Sequence, residues 1–472
     1  LIDHLQLFIF PPKMKKNDQL EIEIEKLAFG GQGLARVDNQ VVFVEKGLPG
    51  DRTLIQIKKI RHNYIDARII EILKPSPLRI SPACSHFGYC GGCKWQNLDY
   101  AKQCFFKREQ VLESLAHIGK INPEIVYPTI PSSLEFGYRN KMEFSFTDNR
   151  WLTPEELRNA DIKKNFALGL HVPGSFDRIM HIEKCWLQDE IMNKILSFSQ
   201  NFFKDSQLPV FNLKTHLGLL RFLVIRKSFS GNNYMVNVVT FKPIRELLSL
   251  YAKNLVENFP QIVSLVNTVN PRFAQIAFGD EEHLLFGKST ITEKIGDFEF
   301  EISANSFFQT NPLQADNLYR TVGKFTGNGN KVIWDLYAGT GTIALFLAKK
   351  AEKVIGFELN ESAVKDATSN AERNGIGNCE FISGEIRNRL AARYDSPDII
   401  VCDPPRSGMH QDVVQAILHK KPEKIIYVSC NPTTLARDIL LMTDDYQLKE
   451  IQPVDMFPHT YHIESVALLE RI

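Results

Sequence analysis

From residue 331 onward the chain keeps a strand, turn, helix rhythm that few folds can accept. Short apolar runs at Val332–Leu336, Val354–Phe357, Ile399–Val401 and Ile425–Val428 alternate with helical stretches such as Ser362–Arg373. Runs that short and that apolar fit strands covered on both faces. The rhythm therefore predicts a Rossmann-like α/β domain with a doubly wound parallel sheet, its ligand lying beyond the carboxyl ends of the strands.

The first of these strands leads into Asp335-Leu336-Tyr337-Ala338-Gly339-Thr340-Gly341-Thr342. Gly339 and Gly341 let backbone pass close to a ligand with no β-carbon in the way. Glu358 ends the next strand, where a carboxylate can hold both hydroxyls of a ribose. There is no full dinucleotide fingerprint and no phosphate-binding lysine. A ligand with a ribose but no pyrophosphate fits, which favours S-adenosylmethionine over NAD or ATP.

Three later motifs carry the chemistry. Asp403-Pro404-Pro405-Arg406 follows the strand-like Asp398–Cys402, and its prolines fix the backbone where a substrate could lie. Methyltransferases acting on exocyclic amines usually place an aromatic residue after such a proline pair, so Arg406 argues against N-methylation. Ser429-Cys430-Asn431-Pro432 puts a thiol in a turn after a strand, and His462-Ile463-Glu464-Ser465 puts a carboxylate just before one. C5 of a pyrimidine is a poor nucleophile until a thiolate adds at C6. After alkylation at C5 a base must remove the C5 proton before the thiol can leave. A cysteine and a carboxylate are the minimum set for this sequence of steps. Asp403 could bond the imide edge of the pyrimidine. The plainer readings are an inert core thiol at Cys430 and a solvated Glu464. His459 or His462 could serve as the base instead, although a histidine near such a site is more often a structural donor.

Upstream, residues 16–75 alternate apolar and polar positions between glycine turns, as in Leu20–Glu25 and Arg68–Leu73, which predicts a small OB-like β-barrel. Residues 1–15 read as a tail, 76–302 as a mixed α+β central domain, and 303–472 as the α/β domain. Cys84, Cys90, Cys93 and Cys104 crowd one loop-rich stretch, while Cys185, Cys379, Cys402 and Cys430 are scattered. One tight three-cysteine loop with no second close pair suits an iron–sulfur cluster with a distant fourth ligand, taken as Cys185; zinc is the alternative. Cys104 is nearer in sequence but falls within a helical run, Tyr100–Ala116. No apolar run approaches the ~20 residues of a membrane helix. The lysines after Pro11-Pro12 stand in the wrong order for a secretory signal, so a cytoplasmic protein is expected. A net charge of +1 decides nothing about nucleic acid.

Taken together, these residues resemble the bacterial RNA uracil-5-methyltransferase family, closest to the branch acting on 23S ribosomal RNA. The resemblance spans nearly the whole chain and rests on Phe308-Gln309-Thr310-Asn311, Asp335–Gly341, Asp403–Arg406, Ser429–Pro432 and His462–Glu464. It implies a TRAM barrel, a class I methyltransferase domain, Cys430 as nucleophile and Glu464 as base. It also implies a [4Fe-4S] cluster on Cys84, Cys90, Cys93 and Cys185. Cofactor contacts are expected at Gln309, Tyr337, Gly339, Gly341, Glu358 and Asp403. Two more are expected at Thr342, where a relative has asparagine, and at Glu385, in a variable stretch. Phe307 is expected to stack near an extruded base, with Arg139 and Lys141 on the RNA face. Cys402 precedes Asp403 and so is not the proline-following nucleophile of 5-methylcytosine enzymes. The implied partner is RNA, 23S ribosomal RNA first, with the T-loop of tRNA or a catalytically idle assembly factor as alternatives. Neither DNA nor a membrane is an expected partner, and a monomer is expected.

Overall fold

The computed structural model describes residues 14–121, 125–329, 331–393 and 395–472, so most of the expected N-terminal tail lies outside the described residues. The N-terminal sheet has six strands in the order Gln19–Glu23, Arg52–Ile60, Tyr64–Lys74, Gln40–Glu45, Gly33–Val37, Lys26–Leu27. Its two outer strands are neighbours in the chain, which rolls the sheet around a core of Ile22, Ile24, Val42, Val44, Ile55, Ile57 and Ile65. Alternation made this unit legible: every second residue of Arg52–Ile57 is buried, the pattern of a sheet with one wet face.

The central domain is a seven-stranded sheet ordered Glu281–Gly287, Ile262–Val269, Asn233–Thr240, Leu220–Ser228, Lys141–Thr147, Ala167–His171, Ile179–His181. Only the Asn233–Thr240 and Ile262–Val269 pair is parallel, and helix Arg245–Asn258 supplies its crossover. The hairpin Thr290–Ile295/Phe298–Ser303 shares one apolar core with helix Pro312–Thr326 and with the sheet that follows.

The C-terminal sheet also has seven strands, ordered Cys379–Ser383, Lys353–Glu358, Val332–Leu336, Ile399–Cys402, Lys424–Ser429, Glu464–Arg471, Tyr446–Val454. The first five run parallel, and Glu464–Arg471 inserts antiparallel between the last two. Chain order reverses between Val332–Leu336 and Ile399–Cys402, so a crevice opens there at the carboxyl ends. Ser429 pairs with Ser465, which brings Cys430 and Glu464 to the same end of adjacent strands.

Helix Tyr100–Ser114 leaves the cysteine-rich loop yet packs on this last domain. Val111 and Leu115 join Leu435, Ala436 and Ile439 in its core. Val126 and Ile130 then bridge to Ile451 and Val454 at the sheet edge. No helix among the described residues is long and apolar enough to cross a membrane.

Candidate active site

The strand Val332–Leu336 ends in a turn whose backbone is held open by Tyr337 (φ 66°), Gly339 (φ 54°) and Gly341 (φ 81°). A left-handed tyrosine is uncommon and persists only where its surroundings enforce it. At Gly341 a β-carbon would meet the Phe381 ring at 2.9 Å and Ala367 at 3.0 Å, so close packing demands glycine. At Gly339 an added β-carbon would meet nothing within 4 Å, so that side of the turn faces free space. Glu358 accepts from the Gly339 amide at 3.0 Å and from the Asn360 amide at 2.9 Å, which pins its carboxylate beside the turn.

Tyr319, which sequence reasoning missed, joins the expected cofactor residues. Its buried phenol lies 3.1 Å from the Thr342 hydroxyl and bonds the Gln309 side chain. It looked like core because it lies in the apolar stripe of an amphipathic helix. Asp335 is fully buried beneath the turn, with both carboxylate oxygens lacking a side-chain or ligand partner. Burial, then Asp403 and Glu358, raises its affinity for a proton. Glu385 is exposed, ion-paired to Arg387 at 2.8 Å and bonded by the Asn388 side-chain amide at 2.9 Å.

Cys430, Asp403, Arg406 and Glu464 form the second half of the site. Cys430 sits at intermediate exposure, and its thiol is pushed up to about 11 by burial first, then by Glu464 and Asp403, with Arg406 opposing. Burial lifts Asp403 to about 7. Glu464 keeps a narrow opening to solvent yet is otherwise enclosed by protein. Burial and then Asp403 raise it well above the usual carboxylate range, with Arg406 opposing. A carboxylate so placed takes up a proton readily, which suits a base. Burial and neighbouring cations drop His459 and His462 to about 4, so both rings are neutral and weakly basic. His459 is bonded into the loop by Gln103, and His462 Nδ1 lies 3.3 Å from Arg406.

The loop after Asp403 is fastened by helix Pro432–Leu440. Asp438 is buried and accepts from the Met409 amide at 2.8 Å and the Tyr427 hydroxyl at 2.7 Å. Asn431 caps that helix through the Thr433 amide at 3.0 Å.

Cys84, Cys90, Cys93 and Cys185 line one cavity of about 530 Å³, together with Arg139, Lys141, Phe307 and Thr310. Cys104 is not part of that lining; it faces Tyr100. Burial, reinforced by the neighbouring thiols, pushes Cys90 and Cys93 up to about 12. The Gly92 amide and the Gln96 amide donate to the sulfurs of Cys90 and Cys93, each at 3.3 Å. Among the described residues no three His, Cys, Asp or Glu side chains approach closely enough to hold a single metal ion. Phe307 is 74% exposed at the cavity rim, one residue from buried Phe308 and two from Gln309. The residues expected to meet substrate and cofactor thus share one short segment, Phe307 to Gln309.

Residues 228–472 match the tRNA (uracil-5-)-methyltransferase family and residues 13–70 the TRAM domain. An uncharacterized RNA methyltransferase of Bacteroides thetaiotaomicron is 41% identical, covering 94% of this chain and 100% of its own. A second, from Porphyromonas gingivalis, is 41% identical over 95% of this chain and 99% of its own. The solved structure of Pyrococcus abyssi tRNA (uracil-54, C5)-methyltransferase, in complex with S-adenosyl-L-homocysteine, superposes with a TM-score of 0.75. It is 30% identical and covers 95% of this chain and 100% of that one. With the family match over the catalytic half and full-length relatives on both sides of the chain, this protein is an enzyme belonging to the RNA (uracil-5-)-methyltransferase family.

Proposed function

We propose that the enzyme methylates C5 of a uridine in 23S ribosomal RNA, using S-adenosylmethionine and a transient bond between Cys430 and C6. The observation that supports this most directly is the meeting of Cys430, Asp403, Arg406 and Glu464 at one end of the sheet, beside the turn at the strand-order reversal. S-adenosylmethionine, when bound, supplies an electrophilic methyl group. The free space over Gly339 and the pinned Glu358 fit a ribose-bearing ligand, and Gln309, Tyr337 and Thr342 are further residues for its contacts.

Cys430 adds to C6, which makes C5 nucleophilic. Arg406 stabilises the thiolate, and Asp403, protonated over part of the neutral range, can donate to or accept from the uracil edge. Once C5 carries its new methyl group, Glu464 removes the C5 proton, the C5–C6 double bond re-forms and the C6–S bond breaks. A stacked uridine cannot reach Cys430, so the base must be extruded at a cost of a few kcal/mol. Phe307 at the rim is a stacking surface for it or its neighbour.

The four cysteines fit a [4Fe-4S] cluster better than zinc. The four thiols line one cavity, and among the described residues no three ligands converge on one point. A cluster spaces its sulfurs more widely than a single ion does. Cys84, Cys90, Cys93 and Cys185 would hold it, joining the loop of Cys84–Cys93 to Cys185, and Gly92 and Gln96 donate to the Cys90 and Cys93 sulfurs.

A second reading, the T-loop uridine of tRNA, is favoured by the Pyrococcus abyssi structure, whose domains match along the whole chain. Mass mapping of ribosomal and transfer RNA, from cells with and without the protein, decides between them. Loss of a 5-methyluridine from 23S RNA supports the first reading, and loss from tRNA alone overturns it.

A further inference from the structure

The loop Asp455–Ile463 joins two strands of the methyltransferase sheet, yet its contacts come largely from elsewhere. Lys107 and Asp455 form a fully buried pair at 2.5 Å, and Lys107 also donates to the Phe457 carbonyl at 3.0 Å. Asn311 donates to the Met456 carbonyl at 3.1 Å and Tyr138 to the Pro458 carbonyl at 3.1 Å. The densest grip is on His459. Gln103 accepts from its backbone amide at 2.8 Å, and the Gln103 side-chain nitrogen lies 3.1 Å from its Nδ1 while donating to the Leu98 and Trp95 carbonyls at 2.9 and 3.0 Å. The amides of Lys94 and Trp95, directly after Cys93, both donate to its carbonyl, at 2.9 and 3.0 Å. Phe136 stacks on its ring with centroids 4.1 Å apart.

His459 has φ 64°, a left-handed backbone that a histidine does not keep without such bonds. The loop reverses there, and Thr460 then bonds back to Phe457 and receives the His462 amide, which leads into Glu464. We propose that Gln103 is a positioning residue for Glu464: its double contact with His459 fixes the loop that sets the carboxylate over the reacting carbon. This rests on the reading of Glu464 as the C5 base. Because Lys94 and Trp95 grip the carbonyl of the same residue, the order of the cysteine loop reaches the base by the same route.

The proposal has a kinetic signature that a general folding defect lacks. Glu464 acts only after C5 has been methylated, so a displaced Glu464 stalls the enzyme with methylated RNA still bonded to Cys430. The full chain is incubated with uridine RNA and S-adenosylmethionine carrying a labelled methyl group. Released methylated RNA, RNA–protein species surviving denaturation, and trapping by 5-fluorouridine RNA are then measured. Gln103→Leu should lower release roughly 10–100-fold, keep trapping within about twofold of wild type and accumulate the labelled covalent species, the outcome also expected of Glu464→Gln. Gln103→Glu, which keeps the acceptor for the His459 amide, should restore part of the release. Should Gln103→Leu fold poorly, His459→Gly, which adopts the left-handed backbone freely, should release product several-fold faster than His459→Ala at equal trapping. Unchanged release, or release and trapping falling together in the folded variants, would overturn the positioning role alone. A wild-type enzyme that traps no 5-fluorouridine RNA would overturn the reading of the site and this inference with it.

Discussion

The side-chain amide of Asn431 donates to the Arg406 carbonyl at 3.0 Å, so the turn holding the thiol and the loop holding Asp403 are one rigid piece. The Thr434 hydroxyl reaches the same carbonyl at 3.4 Å. Asn431→Ala removes both this tie and the cap of helix Pro432–Leu440. It should cost about 1 kcal/mol in unfolding free energy and lower kcat by more than that loss explains. Cys430→Ala should lower methyl transfer at least about 10³-fold while RNA affinity, measured by filter binding, stays near wild type. A Cys430→Ala enzyme that still methylates would remove the thiol from the reaction.

The thiol itself should show its surroundings. With Cys430 held at about 11, chiefly by burial, the free enzyme carries mostly thiol at neutral pH. Alkylation of that cysteine, followed by peptide mass, should accelerate about tenfold per pH unit up to that value. Arg406→Ala takes away the opposing cation and should move the profile to higher pH. A rate already level near pH 8 would show that the thiolate is stabilised in the resting enzyme.

Glu358 is expected to bind the ribose. Glu358→Gln keeps an acceptor for one of the two amides but loses the charge. S-adenosylmethionine affinity should fall roughly 10–100-fold, the worth of a charge-assisted hydrogen bond, with RNA affinity unchanged. Calorimetric titration measures it, and equal affinity would place the ribose elsewhere.

Stability should also depend on pH through His459. Its folded-state value lies near 4, below the ordinary 6.5, because burial and Lys107 disfavour the charged ring. The unfolded chain therefore binds the extra proton between those values, and stability falls as pH drops from about 6.5 to about 4. The loss is up to roughly 3 kcal/mol from this ring. Urea unfolding of the wild type and of His459→Asn, which tolerates the left-handed backbone, should differ in slope across that window and converge above it.

The methyltransferase strands were readable because a parallel sheet covered on both faces leaves uninterrupted apolar runs, such as Ile425–Val428. The barrel was readable for the opposite reason, since its wet face imposes alternation. The central sheet was harder: Leu220–Ser228 is buried at nearly every position, and its antiparallel neighbours give no helix rhythm to set it off. Among site residues, Cys430, Glu464 and Glu358 stood next to glycines, prolines or strand ends that mark them. Tyr319, Asp438 and Gln103 did not. Each lies within a helix and earns its place only through a partner distant in sequence or across a turn, as Gln103 does with His459, which no local pattern records. Helix Tyr100–Ser114 was expected as a helix, but nothing in its sequence announced that it would pack against the last domain.

The pairing of Ser429 with Ser465 has one more consequence. Spacing between sulfur and carboxylate is written into a ladder rung, a quantized coordinate, so lengthening neighbouring loops leaves it unchanged. A slip of one residue along that ladder would instead turn the carboxylate to the opposite face of the sheet. Edits that alter this strand pairing are thus the ones that would part the two groups.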